Sequence, residues 1–445
     1  MKFLSFSRPR RRFLGALAGA AISPVLSPAL MTPGRAQTLP ARKPGSPALL
    51  RFGPQSLYLH TEGMATPVWQ LGDGLPYTRF SGNTPPQVVF TNDTAQPVAM
   101  AFHGLDGPAS LEPLLEHAPL APRGGTATCE LPSKPGTFLV DPRLLSGDDD
   151  RPALPRVLVV EGDETFGADR DEVLLIEDWK IGTDGVAQVA GRDSGSVASL
   201  YTINRRVIHD ITVRPNERVR LRLVNGCQRS VIALKFVDCV ITVVSVDSQP
   251  AESFVARDGQ IVLAPGSRVD ALLDATQPVG TRNEILLHDG TKPIPISHVV
   301  TSFSSPPRAA PLPPPATPSP PPSQIDLKNA QRIDLALERG QWLPAIAFDP
   351  ALPPVFHTTV NRTVVLTITN PPGGSAATFR LHGHHFRVLD RLDDGWKPYW
   401  LDTLAFNPGQ TQRIAFNAAH PGKWLIQCMG TKWNSPRRLR WYEVG

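Results

Sequence analysis

FRLHGHHF (379–386) and HPGKWLIQCMGTKW (420–433) decide the fold, because an altered copy of the same arrangement stands near the other end of the chain. In the later copy RTVVLTITN (362–370) leads to RLHG (380–383), and HPGKWLIQC (420–428) follows. In the earlier copy PPQVVFTN (85–92) leads to AFHG (101–104), and KPGTFLVDP (134–142) follows. Asn92 precedes His103 by 11 residues and Asn370 precedes His382 by 12. Each copy is thus a strand, a His-Gly turn, and a Pro-Gly turn entering another strand, an internal repeat read from order and spacing alone. It superposes Asp141 on Gln427 and Arg143 on Met429.

Outward from the repeat, the chain carries further runs of the same kind and no amphipathic helical pattern. AMAFH (99–103), RVLVVEG (156–162), EVLLIEDW (172–179), RVRLRLVN (218–225), VITVVSVD (240–247), QIVLAP (260–265), RIAFNA (413–418) and KWLIQC (423–428) are β-branched and partly alternating, with Pro, Gly, Asn and Asp between them. Short strands at this spacing predict an all-β protein of stacked sandwiches. A chain of 445 residues is too long for one such core. Three domains are expected, at 45–165, 166–303 and 325–445. The middle one has similar strands but no His-Gly turn. SSPPRAAPLPPPATPSPPPSQ (304–324) is expected to be an extended tether between the second and third.

Residues 1–36 stand apart. Arg10, Arg11 and Arg12 precede a moderately apolar run to Met31, and Gly34-Arg35-Ala36 offers small residues for cleavage before Gln37. This resembles a twin-arginine (Tat) export signal and implies a periplasmic location. The leader holds six of the 45 Lys/Arg and none of the 40 acids, so the rest has 39 basic against 40 acidic residues. That balance argues against a nucleic-acid surface, and no later stretch is apolar and long enough to span a bilayer. Of four cysteines, Cys227 and Cys239 are the nearest couple for a disulfide; buried free thiols are the other reading.

The His-Gly turns, with RVRLRLVNG (218–226), LAPGSRVDALLDA (263–275) and WLDTLAFNPGQTQRIAFNAAHPGKWLIQC (400–428), resemble the three-domain multicopper oxidases over nearly the whole chain beyond the leader. The resemblance implies three cupredoxin-like Greek-key sandwiches. It also implies a three-copper cluster held by His pairs of the first and third domains, and a type 1 copper held by a Cys and two His. Imidazole suits copper in both oxidation states, and a thiolate with two imidazoles makes an electron-transfer site.

Carried over position by position, the frame is mostly empty of ligands. The first cluster pair falls on Ala101 and His103, and the pair after the Pro-Gly turn on Asp141 and Arg143. In the third domain the type 1 His position is Ala377, one cluster position is Arg380, and the next is His382. The His-Cys-His triplet falls on Gln427, Cys428 and Met429, the following His on Trp433, and the axial position on Arg438. His103, His382 and Cys428 are the remnants. His384 and His385 read as ordinary strand or turn polar residues, since neighbours on a strand face opposite sides, and His420 stands before the last Pro-Gly turn. His60, His117, His209, His288, His298 and His357 show no ligand spacing.

These replacements predict an ion pair of Asp141 with Arg380 or Arg143 across the first and third domains, because a lone buried charge is costly. They also predict a buried, reduced Cys428 packed near Trp433; the other reading turns Trp433 outward on a rebuilt loop, because NSPRRLR (434–440) differs from the family's helical turn. No metal cofactor is expected. The function expected is a non-catalytic binding or scaffold protein with an unidentified periplasmic partner, similar in kind to the copper-free, Tat-exported cell-division members of that family. The alternative is a residual copper-binding protein or copper-dependent oxidoreductase.

Overall fold

The computed structural model describes residues 41–42, 46–59, 64–82, 84–146, 150–162, 166–195, 197–309, 312–314, 325–337, 342–389 and 397–445. The leader at 1–36 and much of the Pro-rich stretch lie outside the described residues. All ten strand-like runs form strands, and the described helical turns are three-residue 3-10 pieces.

The strands build six sheets, two in each third of the chain. One parallel pairing recurs in every third: Ala48–Leu57 beside Gln87–Asn92, Arg170–Lys180 beside Arg218–Asn225, and Gln331–Ala336 beside Thr363–Thr369. A tight hairpin cannot join parallel neighbours, so each chain must cross over before returning, which is the Greek-key winding of a sandwich. The second strand of each pair runs into a buried Asn: Asn92, Asn225 and Asn370. Their side-chain amides donate to loop carbonyls, as Asn92 does to Gln96 and Leu120, Asn225 to Leu263, and Asn370 to Ser375. The repeat therefore marks a local lock in all three sandwiches.

Each third has its own apolar core. Apolar seams join them: Leu139, Val157 and Val159 meet Val173, Leu175 and Val224 between the first and second, and Ala99, Ala101 and Leu144 meet Leu425, Leu439 and Trp441 between the first and third.

The structure bears on two further readings of the sequence. The described pieces of the Pro-rich stretch dock on the second sandwich instead of hanging free. The Arg308 amide donates to the Pro215 carbonyl (3.0 Å), its guanidinium to Asp169 (3.2 Å), and Arg218 donates to the Pro313 carbonyl (2.8 Å). No Cys227–Cys239 bridge forms; all four cysteines are free thiols, Cys227 fully buried in the second core and Cys239 half-buried.

Candidate functional site

The repeat is a ladder register. Ala101 pairs with Asp141 between strands Ala101–His103 and Gly136–Asp141, and Arg380 pairs with Gln427 between Ala377–Leu381 and Gly422–Gly430. These equivalent rungs face one another where the first and third sandwiches meet the second. They enclose a cavity of about 10 Å³, lined by His103, Asp141, Arg143, Arg380, Gln427 and Arg437 among others. That is room for about one water.

Charge dominates this pocket. Asp141 accepts from Arg143 Nε (2.7 Å), Nη2 (3.0 Å) and backbone N–H (2.9 Å), and from Arg437 Nη1 across the seam (3.4 Å). Burial pushes the Asp141 carboxyl up, but the two guanidiniums outweigh it and hold it well below the usual carboxylate range. Arg143 also donates to the Gly226 carbonyl (2.8 Å), so it ties the second sandwich in as well. The expected choice of partner is thus half corrected: Arg143 pairs with Asp141 from the same strand-end, and Arg437, not Arg380, reaches across from the third sandwich. Arg380 instead donates to the Phe102 carbonyl, and its Nε and Nη1 find no acceptor. Burial draws Arg380 down to about 10, so it stays charged at neutral pH.

The two remnant imidazoles differ in what holds them. His382 Nδ1 sits 2.8 Å from Glu112 Oε1, a carboxylate from the first sandwich that also accepts the Leu425 amide (3.0 Å). His103 Nε2 stands 4.0 Å from Asp141 Oδ2, while its Nδ1 is pressed against Gly266 of the second sandwich. His103 Nδ1 and His382 Nε2 lack partners. Burial, then the nearby Arg380 charge, lowers the pKa of both, so they are neutral at pH 7. The donor set does not fit a copper cluster: one imidazole, His103, shares the pocket with three guanidiniums, which repel a cation, and His382 is held by Glu112. Among the described residues no three His, Cys, Asp or Glu side chains gather in a metal-binding group.

The type 1 positions have gone another way. Ala377 and Cys428 belong to the apolar core with Phe379 and Phe406. Burial pushes the Cys428 thiol up to about 12, and Arg438, its register partner, only partly offsets this. A metal ligand must be the thiolate. Trp433 does not join that core among the described residues. It is buried, with its carbonyl accepting from Gly191 (2.8 Å) and its ring 5.7 Å from Lys180 Nζ, so it fastens the third sandwich to the second. Met429 lines the charged pocket.

A second junction has no signature in the sequence. Arg268, fully buried, donates to both oxygens of Asp402 (3.2 and 2.8 Å), and Asp402 accepts the Gly104 amide (2.8 Å). Asp247 accepts the backbone amides of Arg268 (2.9 Å) and Asp402 (3.1 Å). Side chains and backbone of all three sandwiches meet in this one network. Gly104 has φ +94°, and a Cβ there would strike Ser248 and crowd Arg268, so only glycine admits the contact.

His384 and His385 take the turn reading. They lie in the turn after Ala377–Leu381, not on a strand, and both are buried. His385 donates from Nδ1 to Asp106 (2.5 Å) and from Nε2 to the Asp247 carbonyl (2.7 Å), which makes it an imidazolium. Burial lowers its pKa, but Asp106 more than reverses this, so the net shift is upward. His384 bonds the Tyr442 hydroxyl (2.7 Å) and accepts the His420 amide (3.1 Å), and burial takes it down to about 3.

Models described as multicopper oxidase match residues 170–282 and 317–435. A curated relative, "Multicopper oxidase mco" of Staphylococcus haemolyticus, is 24% identical over 256 residues, covering 53% of this chain and 50% of that one. The chain thus matches about half the length of that relative. A multi-copper oxidase structure from Pseudomonas thermotolerans is 22% identical, covering 90% of this chain and 99% of the other, with a TM-score of 0.74. One from Pseudomonas parafulva is 20% identical, covers 90% and 100%, and has a TM-score of 0.76. At these identities the structural matches carry the fold alone.

Proposed function

Because the chain belongs to the multicopper oxidase family while its cluster positions carry Asp141, Arg143 and Arg380, we propose that it is a non-catalytic, copper-free member acting as a periplasmic binding or scaffold protein. The observation that carries this reading is the Arg143–Asp141–Arg437 bridge: it fills the seam with its own neutralising charges and spans the sandwiches that copper would otherwise link. Reaction with dioxygen would need several donors converging on adjacent metals, and the pocket offers guanidiniums instead. The twin-arginine pattern supports export of the folded chain, and a folded, rigidly seamed body suits a binding role. The partner is a protein of the same compartment.

Oxygen uptake tests the loss of catalysis. Protein matured with copper, given a phenol such as 2,6-dimethoxyphenol, is expected to consume oxygen no faster than its His103→Ala/His382→Ala variant. Turnover that disappears in that variant would establish the oxidoreductase reading instead.

A further inference from the structure

A cleft of about 170 Å³ opens where the three sandwiches meet on the far side of the His384–His385 turn. Its polar groups divide sharply into those already satisfied and those still free. Asp106 is saturated: Oδ1 takes the His385 ring and amide (2.5 and 3.0 Å), and Oδ2 takes Gln249 Nε2 (2.9 Å) and faces Lys134 Nζ (3.7 Å). Gln249 Oε1 accepts Lys134 Nζ (2.5 Å). Both nitrogens of His384 and of His385 are spent.

What remains free can donate. Trp400 is buried, yet its indole Nε1–H has no partner. Lys134 is 44% exposed at its side chain and uses only part of its three N–H bonds. The His420 ring touches His384 (5.3 Å between centroids) and makes no hydrogen bond among the described residues. An orphaned buried donor costs about 1–3 kcal/mol, so the indole N–H calls for an acceptor. Formal charge agrees, since Lys134 and the His385 imidazolium outweigh the single Asp106 carboxylate. The cleft is larger than an inorganic oxyanion needs, and Trp400 and Ala419 supply apolar wall.

We propose that this cleft binds a small organic acid, its carboxylate on Lys134, His420 and the Trp400 indole N–H and its short carbon chain against the Trp400 ring. The site stands apart from the Asp141 seam, and its occupancy does not depend on whether the chain holds copper.

Calorimetric titration of the full chain with propionate, succinate and inorganic phosphate, at constant ionic strength in chloride, tests it. Saturable binding of propionate or succinate is expected, weakened at least tenfold by Lys134→Gln and by Trp400→Phe. Both variants should keep the wild-type melting temperature to within a few degrees, since Lys134 is half-exposed and Phe still fills most of the indole's place with a six-membered aromatic ring. No heat with either acid at 10 mM, binding that survives both variants, or tighter binding of phosphate than of either acid would overturn the proposal.

Discussion

Asp141 and Ala377 both stand where the family resemblance would put an imidazole, yet their surroundings have moved in opposite directions. At the seam around Asp141 the replacements are charged, and inside the third sandwich around Ala377 they are apolar. Local backbone chemistry explains the difference. At the seam, backbone carbonyls accept from arginine side chains: Phe102 from Arg380, Gly226 from Arg143, and Ser435 from Arg229. Arginine offers five donors in a planar fork and can serve a carbonyl and a carboxylate together. Within the strands Ala377–Leu381 and Gly422–Gly430 the backbone pairs through the ladder, so a methyl and a thiol need only fill volume. The ends of sandwiches therefore inherit charge, and their interiors inherit packing.

Truncating one charge and one core residue would break or sharpen this contrast. Arg268→Met leaves Asp402 and Asp247 buried against each other at the three-way junction. Removing one partner of such a buried pair costs about 3–5 kcal/mol. Urea unfolding followed by tryptophan fluorescence should show that loss. Cys428→Ala removes a single sulfur from an apolar core and should cost about 1–2 kcal/mol. Equal losses from the two would erase the distinction.

The smallest effect is confined to pH. His385 has its folded pKa raised above 6.5, so its contribution is fully present below that value and fades as pH rises through the folded pKa. Asp106 is shifted the other way, below 3.8, so its share is present above that value and fades as pH falls. His103, His382 and His384 are shifted down, and wild type therefore also loses stability to them as pH falls below 6.5. Comparison with His385→Gln cancels those three. The melting temperature of wild type minus variant should be larger at pH 5.5 than at pH 8.5; a difference independent of pH would contradict the imidazolium assignment.

The fold was legible because alternation and turn chemistry are local. Thr363–Thr369 shows its β-branched run on its face, and the repeat turned out to be the ladder register itself. The recurrence of Asn at the end of a strand was visible in the middle third too, in RLVNG, and could have been read as the same lock. The seam was half legible. Asp141 and Arg143 lie two residues apart, so their pairing was within reach of spacing. Arg437 arrives from 296 positions away and Asp402 meets Arg268 across 134, and only the packing of whole sandwiches sets such contacts. Spacing leaves His384 and His385 open between strand and turn; in the turn both side chains point inward, which alternation does not reveal. Conserved volume favours Trp433 beside Cys428, but its loop answers to Gly191 and Lys180 of the second sandwich.

Copper content decides the central claim, that seam charges stand where a cluster would be. Protein matured in copper-supplemented medium, freed of loosely held ions by dialysis against a weak chelator, can be measured by mass spectrometry of the metal. The expected result is well under one copper per chain and no blue absorption band. About four coppers per chain with that band would contradict it.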